Sequence, residues 1–312
     1  MTTTNTKEFR IMSTLIVDPY KLVTDTIIAQ LERGIIPWRC PWRRDVGKPR
    51  NFHTGQYYHG INVILLGCCH FASPFWMTWN QIRQCGGRVR KGEHASLVVK
   101  YGEFKRKVVN DGVEEDKASW YLKGYRVFNG LQIDGIEFPP VPQPPAVEKT
   151  ERVARAKKIA ETMPSPPQIR EGRHDRACYR RIPDTVDMPM LASFETAEDF
   201  YVTLFHELVH ATGHESRLNR QSLIESDGFA GKVYSQEELV AEMGAAFLGM
   251  EADIIRDSHE QSAAYLKSWL DVLKERDHRR WIVKAASQAA KAADFILGRV
   301  PAAEPAAQSM AG

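Results

Sequence analysis

The stretch FHELVHATGH, residues 205–214, holds two histidines four positions apart, with a glutamate directly after the first. Four residues turn an α-helix by about 400°, so the imidazoles of His206 and His210 lie on one helix face, one turn apart. Two ring nitrogens at that separation can meet a single ion at about 2.0–2.1 Å. Glu207 lies about 100° further around the helix and can reach a water that such an ion holds. The stretch therefore predicts a metal-binding helix.

This spacing is the H-E-x-x-H arrangement of zinc hydrolases. In that arrangement zinc lowers the pKa of a bound water, and the glutamate acts as the general base that takes its proton. Phe205, Leu208 and Val209 are apolar, as a helix packed against a core requires. We expect Zn²⁺ at the site, with Mn²⁺ as a second possibility. The alternative is a core helix with two hydrogen-bonded histidines and no metal.

A catalytic zinc needs three protein ligands and one open position. The metzincin pattern would place a third histidine at position 216, where this chain has Ser216. His214 follows His210 by one helical turn, but Gly213 should end the helix before it, so His214 is a weak third ligand. It also stays open as a fourth ligand of a closed, structural site.

A carboxylate from a later helix is the stronger third ligand. SQEELVAEMGAAFLGM, residues 235–250, predicts a helix with Ser235 as its N-cap. Glu238 followed by Ala241 fits the E-x-x-A ligand pattern of Glu-type zinc proteases, so Glu238 is the predicted ligand. Glu237 and Glu242 are weaker alternatives, and Glu242 could instead orient a histidine ring.

Composition bounds the class of protein. The chain has 312 residues, of which 43% are hydrophobic and 26% charged, and no apolar run approaches the ~20 residues of a membrane span. The N-terminus lacks the pattern of a secretory signal. Five cysteines, none in a C-x-x-C pair, argue against a disulfide framework. A reducing cytoplasm is the expected setting.

Charge divides unevenly along the chain. Residues 1–135 hold 20 Lys and Arg against 12 Asp and Glu, whereas residues 136–312 hold 22 against 27. Five of the seven tryptophans lie in the basic half. Basic residues interleaved with aromatic ones suit single-stranded nucleic acid, because cations neutralise phosphates and exposed rings stack on unpaired bases. A single-stranded nucleic acid is therefore the expected partner of this half.

The predicted DNA contacts lie in loops and turns of the basic half. Most other aromatic residues there, among them Trp76, Trp79, Trp120 and Phe128, are expected in the core. The predicted contacts are Trp38, Arg39, Trp42, Arg43, Arg44, Lys48, Arg50, Tyr57, Tyr58, Arg88, Arg90, Lys91, Lys105, Arg106 and Lys107.

A proline-rich segment, PPVPQPPAVEKT, predicts a linker between two domains. The fold class we expect is α+β. A small antiparallel-sheet domain that binds single-stranded DNA would span residues 1–138, the linker 139–150, a zincin-like metalloprotease domain with its active-site helix 151–300, and a disordered tail 301–312. In the second domain, residues 176–189 predict two short strands around a turn near Asp184, a candidate edge for substrate pairing. Ser193 is expected to cap a helix that leads into the metal helix.

Two sets of motifs together resemble a known family. TLFHELVHATGHESRLNR, EELVAEMGAAFLGM and AAYLKSWLDVLK resemble the zincin-like C-terminal domain of ArdC-type antirestriction proteins. PWRCPWR, NFHTGQYYHGIN and SWYLKGYRVFN resemble that family's N-terminal domain, which is similar to the N-terminus of TraC primases and binds single-stranded DNA. The resemblance covers nearly the whole chain apart from the linker.

The resemblance implies a plasmid-type protein that protects incoming DNA from host restriction during conjugation. Through the likeness of its zinc domain to the DNA-dependent protease Spartan, it also implies cleavage of a host restriction enzyme or of another DNA-bound protein. One alternative is a non-enzymatic DNA-coating protein with a structural or vestigial metal site. A weaker one is a primase accessory protein. His206, Glu207 and His210 match the family's motif directly, and Glu238 matches through E-x-x-A.

Overall fold

The fold is that of a computed structural model, which describes residues 18–38, 47–110, 113–141, 147–220, 232–254, 263–274 and 280–299. Helices and strands are mixed, which confirms the α+β prediction. Within the described ranges, no helix is both long and apolar enough to cross a membrane.

In the part of the N-terminal half that the structure describes, there are three helices and six strands. α1 starts where Asp18 accepts a hydrogen bond of 3.0 Å from the N–H of Tyr20, and proline follows the cap, where its missing N–H costs nothing. In chain order the elements are α1 (Pro19–Glu32), β1 (Arg50–Asn51), α2 (Ile61–Gly67), β2 (Phe75–Thr78), α3 (Trp79–Gln84), β3 (Arg88–Val89), β4 (Ser96–Asn110), β5 (Val113–Asn129) and β6 (Ile133–Asp134).

A four-stranded sheet in the order β1-β2-β5-β4 organises this part. All its pairs are antiparallel except β1 with β2, which is parallel. β4 and β5 form a long hairpin, and Asn62 on α2 covers the outer edge of β4. The Asn62 side chain accepts from the N–H of Val99 at 2.8 Å and donates to its carbonyl at 2.7 Å, as a neighbouring strand would.

Within the described residues, the C-terminal part has five helices and a three-stranded sheet. The sheet has the order β7-β9-β8, so β8 is an edge strand. Both β8 and β9 contact the helix that carries the histidines. The two strands predicted around Asp184 are confirmed as β8 and β9. The elements are α4 (Lys149–Glu161), β7 (Gln168–Gly172), β8 (Cys178–Arg180), β9 (Thr185–Pro189), α5 (Ala197–Thr212), α6 (Lys232–Ala252), α7 (Ala263–Lys274) and α8 (Trp281–Ile296).

Two predicted helix caps are wrong. α5 is capped by Thr196, whose hydroxyl accepts the N–H of Asp199 at 3.1 Å, and it continues unbroken through both histidines. Ser193 instead ends a short 3-10 turn. Ser235 lies inside α6, which begins at Lys232. Serine and threonine recur near acidic residues in both stretches, so the local pattern did not single out the true cap.

One hydrophobic cluster joins the two parts of the chain. It contains Ile27 and Leu31 of α1 together with Leu273 of α7 and Ile282 of α8. The predicted division at residues 139–150 stays a prediction, because this cluster includes residues from both sides of it.

Candidate metal centre

Small residues let α5 and α6 approach closely. A Cβ placed at Gly244 of α6 would lie 2.6 Å from Cγ2 of Val209 on α5, closer than real side chains come. Ala241 and Ala245 flank this position and are buried. The close approach brings Glu238 of α6 against the histidines of α5.

The three predicted ligands converge. Nε2 of His206 lies 3.1 Å from Nε2 of His210, and the two nitrogens lie 3.4 and 3.3 Å from the carboxylate oxygens of Glu238. Four ligands placed tetrahedrally at about 2.0–2.1 Å from one ion would be ~3.4 Å apart. Of the described histidines, cysteines and acids, these three form the group that could hold a metal. The donor set therefore fits a divalent cation.

Behind His210, a buried ion pair fixes the ring. Nδ1 of His210 lies 3.4 Å from Oε1 of Glu237, and an ionised carboxylate can only accept, so Nδ1 carries the proton and Nε2 faces the site. Arg220 binds both carboxylate oxygens of Glu237 and donates to the carbonyl of Val209 at 2.7 Å. Glu237 thus orients the ring of a predicted ligand, the role the sequence suggested for Glu242.

The close contacts among these residues shift the pKa values of His210 and Glu238. Burial lowers the pKa of His210, but hydrogen bonds to Glu237 and Glu238 outweigh it and raise that pKa to about 10. Burial likewise raises the pKa of Glu238, and the two histidines outweigh it and hold that pKa well below its usual range. Without a metal, the carboxylates therefore favour a protonated His210. A metal must displace that proton.

Glu207 lies beside the ligands and is nearly buried, with 8% of its surface exposed. Its Oε2 accepts a 2.7 Å hydrogen bond from the backbone N–H of Tyr179 on β8. The hydroxyl of Tyr179 donates to Asp184 at 2.8 Å, and Arg217 also binds Asp184. This network ties β8 to the end of α5, because Arg217 also donates to the carbonyl of Ala211 at 2.6 Å.

His214 lies outside the ligand group. Its Nδ1 accepts the N–H of Ser216 at 3.2 Å, beyond the end of α5. Within the described residues, the candidate centre therefore has three protein ligands.

The predicted DNA contacts have mixed outcomes. Trp38 is fully buried, and its ring meets that of Trp269 on α7 edge-on at 5.8 Å, so the prediction that it stacks on a base is wrong for this structure. The neighbours of Trp38 in sequence are basic and proline residues, which favour exposure. The residue that packs against it, Trp269, is distant in the chain. Arg39, Trp42, Arg43 and Arg44 lie outside the described residues.

Three further predicted DNA contacts are partly buried within the protein. Lys48 forms an ion pair with Glu251 of α6. The guanidinium of Arg50 lies 4.6 Å from the centre of the Phe75 ring. Tyr58 is half-buried, and desolvation raises the pKa of its hydroxyl.

Four predicted contacts are surface residues. Tyr57 is half exposed, and Arg88, Arg90 and Lys91 lie in or beside β3. Arg90 lies 3.0 Å from Glu93. Lys105, Arg106 and Lys107 belong to β4, where the backbone alone is described.

Sequence reasoning missed three exposed aromatic residues. Trp79, expected in the core, is 51% exposed at the start of α3. Tyr101 on β4 is 46% exposed, and Tyr121 on β5 is 44% exposed. An aromatic residue among other aromatic residues favours a core assignment. Successive side chains of a strand point to opposite faces of the sheet, and this alternation could have placed Tyr121 on the solvent-exposed face.

The fold and the site together define a zincin-like metallopeptidase domain joined to a mixed helix-and-sheet N-terminal domain. Residues 155–288 match a family described as a zincin-like metallopeptidase, and residues 17–128 match the N-terminal domain of anti-restriction factor ArdC. The chain belongs to the ArdC family of antirestriction proteins.

Solved structures agree with this assignment. The metal-free crystal structure of the antirestriction ArdC protein from the R388 plasmid is 39% identical, with a TM-score of 0.68 over 89% of this chain and 96% of that one. The Mn(II)-bound structure of the same protein is 38% identical, with a TM-score of 0.69 over 90% and 97%.

Two relatives extend the comparison. The uncharacterized protein y4eC of Sinorhizobium fredii (strain NBRC 101917 / NGR234) is 32% identical over 89% of this chain and 91% of its own length. A DNA primase TraC of Escherichia coli is 35% identical over 89% of this chain. The chain spans only 27% of that TraC protein.

Proposed function

We propose that this chain protects incoming DNA from host restriction during conjugation. In this proposal its N-terminal part binds single-stranded DNA, and its C-terminal part is a metal-dependent peptidase. The observation that carries the peptidase proposal is the near-tetrahedral spacing of the ligand atoms of His206, His210 and Glu238, beside the carboxylate of Glu207.

In the proposed mechanism, each residue of the centre has one task. A divalent cation bound by His206, His210 and Glu238 would supply Lewis acidity toward a water and a peptide carbonyl. Glu207 takes a proton from water and later gives it to the leaving amine. The N–H of Tyr179 holds Oε2 of Glu207, which leaves Oε1 to carry that proton. Glu237 keeps the proton of His210 on Nδ1.

Zn²⁺ is the proposed cation, with Mn²⁺ as the other possibility. Two imidazoles and a carboxylate are a donor set that zinc favours and manganese accepts. The Mn(II)-bound structure of the R388 ArdC protein supports the second possibility.

Charge and exposed rings support the DNA-binding proposal. The N-terminal 135 residues carry the excess of basic residues, and the exposed side chains of Tyr57, Arg88 and Lys91 suit phosphates and unpaired bases. The match to the ArdC N-terminal domain and the TraC relative support it further. The proposed peptide substrate is a host restriction enzyme or another DNA-bound protein, and the proposed setting is the cytoplasm.

A conjugation assay tests the function. Unmodified plasmid is transferred into a restricting recipient with the wild-type gene, the Glu207→Gln variant or an empty vector. We expect the wild type to raise the recovery of transconjugants above the empty vector, and an equal recovery would overturn the antirestriction proposal. Protection at the wild-type level by Glu207→Gln would assign protection to DNA binding alone and leave the peptidase a separate role.

A further inference from the structure

One face of the β4–β5 hairpin carries two lysines directly opposite each other. Lys100 pairs with Lys123 in the antiparallel register, and both side chains are exposed. Directly opposed side chains have Cβ atoms about 4.5–5.5 Å apart, and like charges there destabilise the sheet. No acidic side chain among the described residues forms an ion pair with either lysine. The two ammonium groups therefore form a site of concentrated positive charge.

The next pair on the same face presents an aromatic ring. Gly102 is opposite Tyr121, and a Cβ built on Gly102 would lie 2.3 Å from Cζ and 2.6 Å from Cε1 of the Tyr121 ring. The ring therefore lies across the glycine backbone, where any larger residue would displace it. Tyr121 is nevertheless 44% exposed, so its side chain packs on the glycine backbone and still meets solvent.

A second ring follows on the other side of the lysines. Residues two apart in a strand share a face and lie about 6.8 Å apart, so Lys123 lies between Tyr121 and Tyr125. Nζ of Lys123 is 5.4 Å from the centre of the Tyr125 ring. Tyr125 packs against the buried cluster of Trp76 and Val98, which fixes this end of the row. We call Lys100, Gly102, Tyr121, Lys123 and Tyr125 the hairpin face.

We propose that the hairpin face binds single-stranded nucleic acid, with an unpaired base stacked on Tyr121 and the flanking phosphates held by Lys100 and Lys123. This proposal rests on the proposed DNA-binding function and gives that function a location. A single strand is the fitting occupant because its bases offer their faces to a ring, whereas duplex bases are stacked on each other. Bound phosphates would also relieve the repulsion between the two lysines.

The charge component is tested by the salt dependence of binding. The probe is a fluorescent oligothymidylate of ~16 nucleotides, the upper end of the site size of a small single-strand module. Each phosphate contact on single-stranded DNA contributes about 0.7 to the slope of log K against log salt. We expect Lys100→Ala/Lys123→Ala to lower that slope by ~1.4. The matched control Lys157→Ala/Lys284→Ala removes two exposed lysines elsewhere and should leave the slope unchanged.

The stacking component is tested at constant charge. Tyr121→Ala should weaken binding by at least about fivefold, the loss of one stacked base, with an unchanged salt slope. Tyr121→Phe keeps the ring and should bind like the wild type. Gly102→Ala should weaken binding as well, because the new methyl group displaces the ring.

Lys123→Glu separates binding from folding. It places a carboxylate opposite Lys100, so the midpoint of urea unfolding should stay the same or rise, while DNA binding weakens. If Lys123 had a purely structural role, DNA binding would not weaken while the unfolding midpoint stayed the same or rose. Weaker binding that accompanies a lower unfolding midpoint would contradict the proposal.

The outcomes distinguish this proposal from the function on which it rests. A wild-type protein that does not bind the oligonucleotide would overturn DNA binding and the hairpin face together. A wild type that binds, with Lys100→Ala/Lys123→Ala and Tyr121→Ala binding equally well at every salt concentration, would overturn the hairpin face alone. Loss of binding in the lysine variant with none in Tyr121→Ala would make the face a plain phosphate contact and overturn the stacking assignment.

Discussion

The backbone N–H of Tyr179 donates a 2.7 Å hydrogen bond to Oε2 of Glu207. Tyr179 lies on the edge strand β8 and Glu207 on α5, so this bond joins the small sheet to the helix that carries the histidines. The hydroxyl of Tyr179 is held by Asp184 at 2.8 Å. The position of the sheet therefore sets the orientation of the carboxylate proposed as the general base.

The buried pair of Arg220 and Glu237 should control metal affinity. Replacing Arg220 by Met leaves the carboxylate of Glu237 without its charge partner, which should cost about 3–5 kcal/mol of unfolding free energy. The Glu237 carboxylate also loses the contact that holds it against His210, so metal affinity should fall about 10–100-fold. Urea unfolding of the metal-free protein and chelator competition measure the two effects.

A surface ion pair supplies the control for that variant. Arg155 and Glu151 are exposed on α4, one turn apart. Arg155→Met should change stability by less than about 1 kcal/mol and leave metal affinity as it is. Metal affinity in the Arg220→Met variant equal to that of the wild type would contradict the role of the Arg220–Glu237 pair.

The close contact at Gly244 should be needed for the metal centre. Helix propensity alone predicts that Gly244→Ala stabilises by about 1 kcal/mol. Its methyl group, however, would lie 2.6 Å from Cγ2 of Val209 and push α6 away from α5. We expect a net loss of about 1–3 kcal/mol in urea unfolding, together with weaker metal binding.

A second substitution tests the cause. Combining Gly244→Ala with Val209→Ala makes room for the new methyl group, so the pair should lose less stability than the sum of the single variants. A Gly244→Ala variant as stable as the wild type would show that the helices can move apart without cost.

Local spacing predicted the metal helix, because all the relevant geometry lies within one turn. His206, Glu207 and His210 needed only the helical repeat, and Glu238 needed a match to a second motif. The contact of Glu237 with Nδ1 of His210, and the pairing of Arg220 with Glu237, escaped prediction. Both depend on how α5 and α6 pack, which local spacing does not encode.

The N-terminal surface was harder to predict for a related reason. Basic and proline neighbours favour an exposed Trp38, but packing against Trp269, far along the chain, buries it. Trp79 shows the reverse, since its apolar neighbours favour burial and the sheet leaves it half exposed. The burial of a large ring depends on partners distant in sequence, so it could not be read from its surroundings.

Trp38 should therefore matter for stability and not for stacking on DNA. Trp38→Ala should lose about 3–5 kcal/mol of unfolding free energy, as buried aromatic truncations do. Trp38→Phe, which keeps a ring against Trp269, should fold and bind oligothymidylate as the wild type does. A Trp38→Phe variant that stays stable but binds the oligonucleotide much more weakly would restore the DNA-contact role of Trp38.

Stability should depend on acid through Asp187. Hydrogen bonds and charge from Arg180 and Arg170 hold the pKa of this buried carboxyl below its usual range. Its contribution is therefore fully present above the unfolded pKa of about 3.9 and is lost as pH falls through the lower folded-state value. Unfolding free energies of the wild type and Asp187→Asn should differ by a constant amount above about pH 5 and converge below pH ~3.9. A difference that does not change with pH would contradict the ion-pair assignment.

The most direct measurement is a calorimetric titration of chelator-treated protein with Zn²⁺ and with Mn²⁺. The wild type and the Glu207→Gln variant should each bind a single ion per chain with similar affinity, because the proposed role of Glu207 is to act on water and not on the metal. Glu238→Ala should lose that saturable site, since only His206 and His210 remain to hold the ion. Binding by Glu238→Ala with the affinity of the wild type would contradict the three-ligand centre on which the proposed peptidase depends.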